Sequence, residues 1–119
     1  MTPLRWAPIG IALLAVFSWP VRAAEAVSAY DDYNVRSAII RDCHPVPSAA
    51  DRAYLAKGQA LSRAALREVW AQLDANAPAE HEQNGRKAQD MLQRQREARV
   101  YDISEQVRAY GCDWLEGRL

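Results

Sequence analysis

Residues 48–74 read SAADRAYLAKGQALSRAALREVWAQLD, and this stretch decides the fold. Tyr54, Leu55, Gly58, Leu61, Ala65, Leu66, Val69 and Leu73 recur every three or four positions, the repeat of a helix with one buried face. Ser48 stands where an N-cap belongs. Asp51 falls at the third helical position, where the helix dipole favours an acid. Ala53, Ala56, Gly58, Ala60, Ala64 and Ala65 interleave with the stripe, so a second helix can approach closely. Asn76 and Pro78 close the segment.

Outward from this helix, His44-Pro45-Val46-Pro47 forms a break, because proline disfavours α conformation in the residue before it and lacks a donor. Upstream of the break, the spacing predicts a helix over 27–43, with Ser28 as cap and Asp31 in the capping-box position. Tyr30, Tyr33, Ser37 and Ile40 form one stripe on it, and Val35, Ile39 and Cys43 the next. Downstream, a helix is expected from about Glu80 to Tyr110, with Asn84-Gly85 as a point of interruption. Ala88, Met91 and Leu92 make one apolar group. Val100, Ile103, Val107 and Tyr110 make another, joined by Trp114 and Leu115 if a turn follows. Gly111 suits the position after a helix end. No segment alternates with the period of a strand. The expectation is an all-α fold: a small antiparallel three-helix bundle, with room for a fourth short helix. The third helix is about twice the length of the first, so part of it is expected to project beyond the bundle or to bend back over it.

The first residues have the three parts of a secretory signal: Arg5 in a short opening region, the apolar run Ile9–Trp19, and small residues around Ala23. Cleavage is expected after Ala23, giving residues 1–23 as leader and 24–119 as one helical domain. The apolar run is shorter than the roughly 20 residues a bilayer span needs, so no stable membrane insertion is expected after cleavage. The predicted location is periplasmic or secreted. The whole chain holds 15 basic and 15 acidic residues. Without Arg5 and Arg22 the remainder is close to −2, a poor match to a nucleic-acid backbone.

Cys43 and Cys112 are the two cysteines. An exported chain meets an oxidising compartment, and two cysteines allow one intramolecular pairing. Both lie near the ends of helices expected to run in the same direction, so a Cys43–Cys112 disulfide is predicted. Such a bridge closes a loop of about 70 residues, worth on the order of 4 kcal/mol by chain entropy. The alternatives are a reactive thiol beside His44 or an intermolecular bridge, and the C-x-x-C spacing of thiol-exchange pairs is missing.

Signs of chemistry are sparse. None of Ser28, Ser37, Ser48, Ser62 and Ser104 sits in a G-x-S-x-G setting. His44 and His81 fall in separate turns, and Glu80 and Glu82 beside His81 do not converge on one point as metal ligands must. Haem attachment of the C-x-x-C-H type lacks its first cysteine. No enzyme activity, metal or cofactor is expected. Residues 93–99 (QRQREAR) carry almost no apolar group, and a helix polar all round either bridges solvent or meets a polar partner. The solvated reading includes intrahelical pairs such as Asp90 with Arg94. The partner reading makes Arg94, Arg99, Tyr101 and Trp70 the candidate protein contacts, since Tyr, Trp and Arg anchor interfaces. By elimination the expected function is an exported, non-enzymatic protein that inhibits or neutralises a partner protein. The alternatives are a periplasmic stress chaperone that opens to expose apolar surface, and a structural homodimer.

Overall fold

A computed structural model describes residues 21–118, and among these every regular element is helical. Helix α1 spans Val21–Cys43, α2 Ala49–Leu55, α3 Gly58–Asn76, α4 His81–Tyr110 and α5 Cys112–Glu116, with a 3-10 turn at Pro78–Glu80 before α4. The export signal read at Ile9–Trp19 lies outside the described residues. The cleavage point expected after Ala23 falls within α1.

Helix α1 does not begin at Ser28. Val21–Val27 continues the same helix, because Ala23, Ala24, Glu25 and Ala26 include strong helix formers and no breaker intervenes. Ser28 is exposed inside it, and Asp31 is free to bond elsewhere. The expected Ser48 cap is present as a full capping box. Its hydroxyl accepts the Asp51 N–H and Asp51 accepts the Ser48 N–H, both at 3.0 Å.

The long helix expected from Ser48 to Asp74 is interrupted at Ala56-Lys57. The cause is Tyr33 of α1. Its hydroxyl donates to the Leu55 carbonyl at 2.7 Å, and its ring stacks on Tyr54 with centroids 5.5 Å apart. It also lies so close over Gly58 that a Cβ there would collide with it. Lys57 tightens the break by donating to the Tyr54 carbonyl, three residues back. A side chain that takes a carbonyl out of the ladder beside a glycine is a recognised origin of helix bends.

At the α3–α4 corner, Asn84-Gly85 does not interrupt the helix. Both residues are buried in α4. The Asn84 amide donates to Asp74 at 2.8 Å and to the Ala77 carbonyl at 2.9 Å, tying the turn to the helix that follows. The Trp70 indole N–H donates to the His81 carbonyl at 2.8 Å, and the ring stacks on His81 at 4.8 Å. Gly85 is required by this closeness, since a Cβ there would meet Trp70 Cζ2 at 2.6 Å.

Helices α1, α3 and α4 pack on one another in all three pairs. Gly58 at the start of α3 meets Tyr33, and Trp70 near its end meets Gly85 near the start of α4. Helix α3 therefore runs against both neighbours. The core has two parts. One joins Tyr30, Ala65, Val69, Ala88 and Leu92, with Val27, Leu61 and Leu73 packed against it. The other joins Ala38, Ile39, Ile103 and Leu115, with Val35, Val100, Val107 and Trp114 around it. Helix α3 contributes only to the first. At 1.5 Å per residue it is about 28 Å long against about 45 Å for α4. Gly111, with φ +91°, turns the chain so that α5 covers the uncovered half. The Cys43–Cys112 disulfide links that cover to α1 across a sequence separation of 69.

Removing the cross-link by the paired change Cys43→Ser and Cys112→Ser is expected to lower urea stability by up to about 4 kcal/mol. A loss under about 1 kcal/mol would show that the α5 cover holds without it. Gly85→Ala tests the corner. Alanine ordinarily gains about 1 kcal/mol over glycine inside a helix. Here overpacking against an indole held by its own hydrogen bond costs about 1–3 kcal/mol. The net expectation is a lower melting temperature, and an unchanged or raised one would mean that Trp70 moves aside freely.

Candidate ligand cleft

Between the two cores α1 carries polar residues inward. Tyr30, Asn34, Ser37 and Arg41 follow one another at helical spacing, and Asn34 and Ser37 are each only 1% exposed. The Asn34 amide donates to Gln95 Oε1 at 2.9 Å, and the Gln95 amide donates to Asp31. Asp31 takes Arg99 in a two-pronged pair, at 2.7 Å from Nε and 2.9 Å from Nη2. This chain of bonds fixes its own direction. A carboxylate only accepts, so Gln95 turns its amide nitrogen to Asp31 and its oxygen to Asn34. Asn34 must then donate, and its Oδ1, buried beneath the surface, is left without a partner. An unpartnered buried acceptor costs about 1–3 kcal/mol.

Above this layer lies a cleft of about 460 Å³ between α1, α3 and α4, within the roughly 300–1,000 Å³ range of ligand sites. Tyr30, Leu66 and Leu92 form its floor. Tyr33, Asn34 and Ser37 form the α1 wall, and Leu55, Gly58 and Ser62 the opposite one. Gln59, Gln89 and Gln93 stand at the exposed rim with Arg41 and Arg96. No aspartate or glutamate lines it. Among the described residues neither arginine is in an ion pair. The break at Ala56-Lys57 helps shape this cleft, since it is where Leu55 and Gly58 swing against Tyr33.

The residues singled out from the sequence are placed apart. Arg94 is exposed and pairs with Asp90 at 3.1 Å, one helical turn back. Tyr101, 64% exposed, stands seven residues further along α4 and so on the same outer face. Arg99 points inward to Asp31, and Trp70 is held at the α3–α4 corner. The cleft residues Asn34, Ser37, Arg41 and Arg96 were not among the sequence candidates. Their signal was the polar series 34, 37, 41 continuing the apolar stripe that starts at Tyr30.

A second polar cluster sits at the disulfide end. His44 bonds Asp51 of α2 through Nδ1 and Glu116 of α5 through Nε2, both at 2.9 Å. The two carboxylates lie at opposite ring nitrogens, so the three groups cannot share one ion. His81 instead bonds Asp74 at 2.6 Å. The Glu116 bond first, and then the Asp51 bond, raise the His44 pKa above its ordinary 6.5. The Ser48 N–H first, and then His44, lower that of Asp51 below 3.8. No family model matches the chain, and no curated protein or solved structure is significantly similar to it.

The pH dependence of this clasp has a definite sign. Protonated His44 donates to both carboxylates, so its contribution is complete below 6.5 and is lost as pH rises through the higher folded value. The Asp51 contribution is complete above 3.8 and is lost as pH falls through its lower folded value. The clasp is therefore strongest between about pH 4 and 6.5. Melting temperature measured against pH should fall above this window in the wild type. The fall should be smaller in His44→Gln, and equal slopes in the two proteins would remove the clasp from the account.

Proposed function

We propose that the chain is a non-enzymatic binding protein of an oxidising, extracytoplasmic compartment, which inhibits or neutralises a partner protein by seating part of it in the α1–α3–α4 cleft. The observation that carries this reading is the cleft itself: amides, hydroxyls and two arginines that form no ion pair among the described residues, with no carboxylate in its lining. A polar opening at the centre of a small bundle separates its two apolar cores, and the orphaned Asn34 acceptor lies beneath it. A segment selected for stability alone would carry apolar residues at these positions, and departures from packing rules concentrate at functional sites. The disulfide suits an extracytoplasmic compartment, where such bonds persist. The outer α4 face with Arg94 and Tyr101 provides a second polar and aromatic surface for the same partner.

The divided core also favours a second reading, a stress holdase in which the two halves separate to expose apolar surface. One experiment weighs both. The mature protein and its Ser62→Trp variant, which fills the cleft from the α3 wall, serve as baits in periplasmic extract under non-reducing conditions. A single stoichiometric partner, recovered at least about tenfold less with Ser62→Trp, is the expected result. Equal recovery moves the contact out of the cleft. Many unrelated proteins in place of one would favour the holdase, and the capture of none would remove the protein-binding reading.

A further inference from the structure

We infer that the occupant of the cleft is an acidic polypeptide segment, held by its carboxylates at Arg41 and Arg96 and by its backbone at the rim amides. This rests on the reading of the chain as a binding protein and adds the chemistry of what it binds. The rim is positive although the whole chain has as many acidic as basic residues. Arg41 comes from α1 and Arg96 from α4. They are two separately placed cations and not one anion cradle. Three arginines of α4 are paired, Arg94 with Asp90, Arg99 with Asp31 and Arg108 with Glu105. Arg36 of α1 and Arg86 of α4 are, like Arg41 and Arg96, in no ion pair among the described residues, and what sets Arg41 and Arg96 apart is their place at the cleft. The two at the cleft are left without a carboxylate among the described residues, so an incoming one displaces no internal partner.

The neutral groups narrow the ligand further. A glutamine amide both donates and accepts, which is the hydrogen-bonding character of a peptide group. Gln59 of α3 and Gln89 of α4 both line the opening, where an extended chain can bond to both. A single phosphate or carboxylate would leave most of the 460 Å³ unfilled. A segment of a few residues fills it and lays its aliphatic carbons on Leu66 and Leu92 at the floor.

The test is a solution titration of the disulfide-bonded protein, isotopically labelled, followed by the arginine Nε–H and glutamine amide signals. One probe is an acetylated, amidated pentapeptide of alternating Asp, Glu and Gly. A second carries Asn and Gln in place of the acids. A third, acetyl-diglycine with a free terminal carboxylate, separates terminal from side-chain acids. Sodium acetate and anionic phospholipid vesicles complete the set. The expected result is that an acidic peptide shifts Arg41, Arg96, Gln59 and Gln89 together, and that binding weakens as salt screens it. The neutral peptide should bind at least about tenfold more weakly. So should the acidic peptide to the Arg41→Gln, Arg96→Gln double variant, whose changes fall on exposed side chains and spare the fold. Stronger binding of acetyl-diglycine than of its amide would assign the chemistry to a chain terminus. Equal binding of the neutral peptide, of acetate alone or of vesicles overturns the inference. If Ser62→Trp abolishes capture of a protein partner while no peptide binds, the binding-protein reading stands and the acidic-segment inference falls.

Discussion

The Cys43–Cys112 bond holds together the half of the molecule that α3 does not reach. Helix α4 is half again as long as α3, so Val100, Ile103 and Val107 would face water if α1 alone covered them. The five residues of α5 supply the missing cover through Trp114 and Leu115. A helix that short cannot hold itself in place, since isolated helices below about 12–15 residues are marginal in water. Its position therefore depends on what fastens it at each end. Gly111 aims it back toward α1, the disulfide fixes its first residue to the end of α1, and Glu116 at its last turn reaches His44. His44 in turn holds α2 through Asp51, so one cross-link and one imidazole gather α2 and α5 around the end of α1.

The other half is built on contact between flat rings and glycines. Tyr33 lies over Gly58 and Trp70 over Gly85, which brings α3 close to both neighbours along its length. These two contacts also decide where α3 begins and how it turns into α4. Between the halves the helices are joined by hydrogen bonds and not by apolar packing: Asp31, Asn34, Gln95 and Arg99 form one continuous chain. Such a layer adds little net stability. The Asp31–Arg99 pair is partly exposed and belongs to a class worth about 1 kcal/mol or less. Its larger effect is on register, because a one-turn slip of α4 along α1 would leave the buried Asn34 amide without Gln95, at a cost of about 1–3 kcal/mol. The cleft opens beside this layer, where α3 begins at Gly58.

Local chemistry explains which parts of this were legible in the sequence. The capping box at Ser48, the stop at Pro45–Pro47, the glycine at the end of α4 and the disulfide each depend on residues close in sequence or on a single possible pairing, and each is present. Ser28 has the same cap chemistry as Ser48, but no breaker precedes it, so the helix runs through. The interruption at Ala56-Lys57 was not legible because its cause, Tyr33, lies more than twenty residues away. Asn84-Gly85 looks like a turn when read alone. In the fold Asn84 finds partners at Asp74 and Ala77, and Gly85 is small because Trp70 lies against it. The cleft was hidden for a similar reason. Gln, Ser and Arg on a helix read as solvated surface until the tertiary fold shows that three helices bring them to one opening.

Arginine placement on α4 shows how such a sequence divides its charges. Residues 93–99 look uniform, yet the helical turn sends Arg94, Arg96 and Arg99 to three different surroundings. Arg94 stays over its own helix with Asp90, where the pair contributes a few tenths of a kcal/mol to the helix and nothing to the fold's shape. Arg99 crosses to Asp31, which is available because α1 continues past Ser28 and needs no cap there. Arg96 lies about 60° around the helix from Arg99 and about 160° from Arg94, and it stands at the cleft rim with Arg41. Asp31, freed from capping, is claimed by Gln95 and Arg99 on the inward side of α4.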